Sequence, residues 1–122
     1  MNFPTKSQRF GRRAINLDPE VAERIAERLK ALGQKYASEF PSKAAEIRAL
    51  WDKIDDGEPE TLESLYRAVH SLSGSGETFG FPKLSEAAKQ CEAVLLAGMK
   101  SGQLPRTDAE AGIVSVLAEL DQ

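Results

Sequence analysis

The run Pro59-Glu-Thr-Leu-Glu-Ser-Leu-Tyr-Arg-Ala-Val-His-Ser-Leu72 places its apolar residues at Leu62, Leu65, Tyr66, Val69 and Leu72. Steps of three and four bring such residues to one face only in a helix. Proline is tolerated in a first helical turn, where its missing N–H had no partner to lose, so the helix opens at Pro59. At about 100° per residue, His70 falls about 110° from the centre of the apolar stripe, on its flank. Gly74 follows one turn later on the same side. A mid-helix glycine costs about 1 kcal/mol relative to alanine. Beside a flanking histidine it points to a need for bare surface, over which another protein could approach the imidazole. The residues alone leave a plainer alternative open: a solvated surface histidine beside a glycine that loosens a helix end.

The same periodicity continues on both sides. Upstream, apolar positions run Val21, Ile25, Leu29, Leu32, Tyr36, Phe40, Ala44, Ile47, Trp51 and Ile54. Pro41 removes a donor and crowds the preceding turn, so a break or kink is expected near Ser38–Pro41. Asp55-Asp56-Gly57 closes that unit as a turn. Downstream, a helix opening at Pro82 buries Leu84, Ala88, Cys91, Val94 and Leu95 before Gly98 and the Gly102–Pro105 turn. The last helix is read from Thr107, with Glu110 completing a T-x-x-E capping pattern, and an inner face of Ile113, Val116, Leu117 and Leu120. No segment alternates as a strand does. The fold class is therefore all-α. Short connections favour an antiparallel up-down four-helix bundle, with an additional N-terminal helical segment from Pro19 to about Ser38. Residues 1–17 read as a basic, flexible leader that packs little, and residues 18–122 as the bundle domain.

Composition narrows the function. The 122 residues are 41% hydrophobic and 29% charged, ordinary for a globular chain with one core. The net charge of −3 hides an asymmetry, because residues 1–17 carry four basic groups and no acidic one. The remainder, with 12 basic and 19 acidic residues, is a poor nucleic-acid surface, and no nucleic-acid partner is expected. One histidine and one cysteine are too few for most zinc ligand sets. A lone cysteine, no secretory signal and no apolar run long enough for a bilayer fit a cytoplasmic protein without membrane attachment. No paired catalytic acids or nucleophile–base pair argues for an independent enzyme.

The stretch Gly74-Ser-Gly-Glu-Thr-Phe-Gly80 mimics a dinucleotide-binding glycine loop, but that motif needs a preceding strand and a crossover unit, and here a helix precedes it. The stretch instead resembles the signature of histidine-containing phosphotransfer (HPt) domains of two-component phosphorelays. That signature reads His-x-x-Lys-Gly, then a glycine ten residues after the histidine and a leucine four further on. His70, Gly74, Gly80 and Leu84 match in spacing. Phe40-Pro41 with Ala44, Ile47 and Leu50 is similar to the family's preceding helix, and Cys91-Glu92 falls where the family often has an apolar residue followed by Glu or Gln. One position departs: Ser73 stands where the family has its lysine.

The resemblance implies an all-helical phosphocarrier in which His70 is the phosphorylated nucleophile. It takes a phosphoryl group from an aspartyl phosphate on a receiver domain and passes it to another receiver. An imidazole is largely neutral at pH 7 and competent as a nucleophile, and phosphoryl transfer needs chiefly positioning and charge neutralisation. Mg²⁺ is expected from the partner receiver, with no intrinsic cofactor and no autonomous kinase activity. Expected partners are response-regulator receiver domains and a hybrid histidine kinase, and the default expectation is a monomer. Gly74 keeps the approach open. Glu92, on the flank of its own helix, is placed to accept a hydrogen bond from His70 Nδ1–H if the two helices pack antiparallel. Arg67, Lys83 and Lys89 are candidates for the charge that Ser73 lacks. The competing expectation is a module that binds a receiver or kinase without carrying phosphate, and a purely structural bundle is a third.

Overall fold

The computed structural model describes residues 18–122; the basic stretch 1–17 lies outside the described residues. Five α-helices follow one another: α1 (Pro19–Ser38), α2 (Phe40–Asp52), α3 (Pro59–Thr78), α4 (Pro82–Ser101) and α5 (Arg106–Leu120), with a 3-10 turn at Ile54–Asp56. No strand occurs among the described residues. None of these helices is long and apolar enough to cross a membrane. The described residues divide into two units, the first ending at Leu32 and the second spanning 33–122.

In the first unit, Asp18 starts α1 by accepting the Glu20 N–H on its carboxylate at 2.9 Å, which satisfies one donor of the first turn. Val21, Ile25, Leu29 and Leu32 continue the apolar spacing yet remain between 40% and 57% exposed, so this part of the stripe is no core face.

The second unit holds the bundle. The interruption expected near Pro41 falls at Glu39, whose N–H turns back to the Tyr36 carbonyl at 3.1 Å. Pro41 then occupies the first turn of α2, where it has no donor to waste. Around the bundle, α3 packs on α2 and α4, and α5 closes the ring against α4 and α2. The core is Phe40, Ala44 and Ile47 from α2, Leu65, Val69 and Leu72 from α3, Leu84, Ala88, Cys91 and Leu95 from α4, and Ala109, Ile113, Val116 and Leu120 from α5. Val94 and Leu117, both read as inner residues, are only partly buried at its margin. Burial in this core pushes the Cys91 thiol up to about 12, with the charge of Glu92 acting in the same direction.

Two local readings are corrected. Gly98 does not follow the end of α4 but lies inside it, buried, where an added Cβ would meet the Leu104 side chain at 2.7 Å. The helix runs on to Ser101 and stops at Gly102, whose φ of 77° suits glycine. The T-x-x-E pattern does not cap α5, which starts at Arg106 without a side-chain cap. The Pro105 carbonyl already accepts the Ala109 N–H at 2.8 Å, so Pro105 holds the cap position and Thr107 sits two residues too far into the helix to serve.

Candidate functional site

The site sits on the α3–α4 pair, and the turn between them sets its register. Gly80, at φ 90°, lets α3 end sharply, and the Phe81 N–H returns to the Gly76 carbonyl at 2.7 Å. Gly76 brings the start of α4 close: a Cβ there would stand 3.1 Å from the Ser85 nitrogen. With the helices so fixed, His70 near the middle of α3 faces Glu92 on α4.

His70 Nδ1 and Glu92 Oε2 are hydrogen-bonded, with the ring N–H donating to the carboxylate. The two ends of the pair differ in exposure, 62% for the histidine side chain and 19% for the glutamate. Glu92 is therefore the fixed member and His70 the presented one. Tyr66, one turn earlier on α3, lies against the other aspect of the ring, its centroid 5.7 Å away and its plane within 13° of parallel. Stacking and the carboxylate together restrict the imidazole rotamer, and they leave Nε2 as the ring nitrogen without a hydrogen-bond partner among the described residues. At Gly74, nothing lies within 4 Å of where a Cβ would be.

Ser73 is turned away from this face. It is 5% exposed, its hydroxyl donates to the His70 carbonyl at 2.8 Å, and its own carbonyl accepts the Ser85 hydroxyl at 2.5 Å. Position 73 is thus part of the seam between α3 and α4. The neighbouring serines follow a similar habit. Ser71 donates to the Ala68 carbonyl at 2.8 Å and Ser75 to the Ser71 carbonyl at 2.7 Å, while the Tyr36 hydroxyl pairs with Ser75 at 2.6 Å. The Ser/Gly-rich run stays helical through Thr78 despite these bonds, which compete weakly with the helix ladder, and its helicity removes the glycine-loop alternative. Burial pushes the Tyr36 phenol up, and its bond to Ser75 acts against that shift.

The three basic candidates fare differently. Arg67 is tied to Glu63, one turn further from the glycine, at 2.9 Å. Lys83 lines a hollow with Phe40, Phe81 and Glu119 at the end of the bundle, about 13 Å along α4 from Glu92. Lys89 crosses from α4 to Glu77 on α3 at 3.4 Å, on the side where His70 and Gly74 are presented. The structure thus assembles His70, Glu92 and Gly74, and brings Lys89 alongside. It does not bring in Arg67, Lys83 or the Ser73 side chain. Tyr66 was read only as a core residue; its spacing of four from His70, the distance at which helical side chains meet, was the available signal.

A family model described as the Hpt domain matches residues 23–122, which is most of the chain. No curated protein and no solved structure matches it significantly. The chain belongs to the Hpt domain family, whose members act as phosphotransfer modules in phosphorelays and work with receiver domains and kinases.

Proposed function

We propose that this chain is a histidine phosphocarrier in which His70 Nε2 accepts a phosphoryl group from a phospho-aspartyl receiver domain and gives it to another receiver. One observation carries the proposal: the bond from Nδ1–H to Glu92 leaves Nε2 as the nucleophilic nitrogen of an exposed ring. In the forward step the Nε2 lone pair forms the N–P bond while the aspartyl P–O bond breaks and the carboxylate leaves. The ring becomes cationic as it gains the phosphoryl group, and the Glu92 carboxylate on Nδ1–H stabilises that charge. In the return step an acceptor aspartate attacks phosphorus and the N–P electron pair goes back to Nε2.

A receiver's Mg²⁺ would supply neutralisation of the phosphate charge from the partner's side when the two proteins dock. The chain itself positions the imidazole, and with no enzyme activity of its own it works as an intermediate, monomeric and in the cytoplasm. The second reading, a receiver-binding module that carries no phosphate, draws on Ser73, which offers no cation. One experiment separates the two. The full chain is incubated with a phosphorylated receiver, and acid-labile phosphate is measured on the wild type and on His70→Gln. Labelling of the wild type and none of the folded variant is expected. Unlabelled wild type that still binds the receiver supports the second reading, and equal labelling of both moves the chemistry away from His70.

A further inference from the structure

A phosphoryl group on His70 brings between one and two negative charges to a face that already holds two carboxylates. Glu92 is bonded to the ring, and Glu77 lies seven residues beyond His70 on the same face of α3, with Gly74 between them. Some cation must offset this charge if the phosphorylated state is to persist. Arg67 is engaged with Glu63 on the side of His70 away from Gly74. Lys89 is placed otherwise.

Lys89 stands three residues before Glu92 on α4, about 4.5 Å along the axis from the residue that reaches His70. The two helices run antiparallel, so stepping back from Glu92 to Lys89 moves along α3 from His70 towards Gly74 and Glu77. The base of the lysine is therefore level with the stretch between His70 and Glu77, and its ammonium now rests on Glu77 at 3.4 Å. Both side chains are more than half exposed, 52% for Lys89 and 70% for Glu77, and such a pair contributes little and exchanges easily. The space over Gly74, open for at least 4 Å from the missing Cβ, lies between the two carboxylate positions.

Resting on the assignment of His70 as phosphoacceptor, we propose that Lys89 is the phosphoryl-binding cation of this site. Its ammonium leaves Glu77, moves over Gly74 and binds the phosphoryl oxygens on Nε2, and Glu77 holds it poised while His70 is unmodified. The cation absent at position 73 is thereby supplied from the adjacent helix. A lone pair of surface charges has no such role, and the two cases make different predictions.

The test uses the full chain with phosphoramidate, a small donor that needs no partner protein: Nε2 forms the N–P bond, the donor's P–N bond breaks and ammonia leaves. The formation rate and the ³¹P titration midpoint of the bound phosphoryl group are measured for wild type, Lys89→Gln, Lys89→Arg and the remote control Lys100→Gln. A cation in contact with the phosphoryl oxygens, about 4 Å from phosphorus in a watery environment, changes the rate by about fivefold and the midpoint by about 0.7 unit. Lys89→Gln should slow formation and raise the midpoint by those amounts. Lys89→Arg should restore both, Lys100→Gln should change neither, and about 1 M salt should erase the difference. A Lys89→Gln midpoint equal to wild type, or an equal shift in Lys100→Gln, overturns the role of Lys89 while leaving His70 in place. Wild type that gains no phosphohistidine overturns the His70 assignment and this proposal with it.

Discussion

At the scale of single residues, the imidazole is held by two unlike contacts, a carboxylate on Nδ1–H and an aromatic ring against its plane. They should be separable. Tyr66→Phe keeps the stack and should transfer phosphate at close to the wild-type rate, whereas Tyr66→Ala frees the ring and should slow transfer several-fold. Comparing phosphorylation rates by a receiver with circular dichroism on the same samples checks this, and equal rates for Phe and Ala would show that stacking is incidental. Glu92→Gln retains an acceptor but loses the charge. The difference between a charged and a neutral hydrogen bond, about 1 kcal/mol, corresponds to about a fivefold slower transfer. The flanking position of His70 and the bare position of Gly74 were legible from spacing alone, because helix geometry fixes both. The burial of Ser73 was not. It depends on how far α3 and α4 rotate towards each other, and that is set by Gly76 and Gly80 at their junction rather than by any pattern around residue 73.

At the scale of the helix, two glycines in one turn of α3 do opposite things, and the same substitution should reveal it. Gly74→Ala meets nothing within 4 Å and should stabilise the helix by up to about 1 kcal/mol. Gly76→Ala places a methyl 3.1 Å from backbone at Ser85 and should destabilise by about 1–3 kcal/mol. Urea denaturation of both variants tests the contrast, and matching shifts would contradict it. Gly74→Leu should fold normally and accept phosphate poorly from a receiver, because its side chain stands where the partner approaches. Fast transfer by that variant would remove the case for this face as the docking surface. Helix identities and starts were readable because Pro41, Pro59 and Pro82 each open a helix in its first turn. The start of α5 misled because Pro105 ends the loop with its carbonyl already committed to Ala109, a tertiary placement that the T-x-x-E spacing does not encode.

At the scale of the whole molecule, every buried apolar residue among the described residues lies between Tyr36 and Leu120. A chain beginning at Gly33 should therefore unfold cooperatively with a midpoint within a few degrees of the full-length protein; loss of cooperativity would place essential packing earlier in the chain. The core also makes an alkaline prediction. The Cys91 thiol is raised from 9.0 to about 12, so its contribution to stability is fully present below pH 9 and is lost as pH rises through the folded value. Between pH 9 and 10.5 the denaturation midpoint of wild type should fall more steeply than that of Cys91→Ala, and parallel curves would refute the assignment. The bundle topology was legible because short connections leave few ways to arrange four amphipathic helices. The exposure of Val21, Ile25, Leu29 and Leu32 was not, since the same periodicity describes a core face and a bare one.

Trp51, the only tryptophan, lies beneath the Arg106 guanidinium, 5.2 Å from ring centroid to Cζ, and Arg106 pairs in turn with Asp55. Tyr36, Phe40, Phe79 and Phe81 are gathered instead where α3 turns into α4, with ring separations of 5.0 to 5.7 Å. The two ends of the bundle thus carry different chromophores. Indole emission reports on the junction of α2 and α5, and in Tyr66→Phe, where Tyr36 is the one remaining tyrosine, the near-ultraviolet dichroism of tyrosine reports on the opposite one. Recorded together during unfolding, the two signals form a built-in pair of probes. Coincident traces mean that the bundle opens as one body, and separated traces identify the end that loosens first.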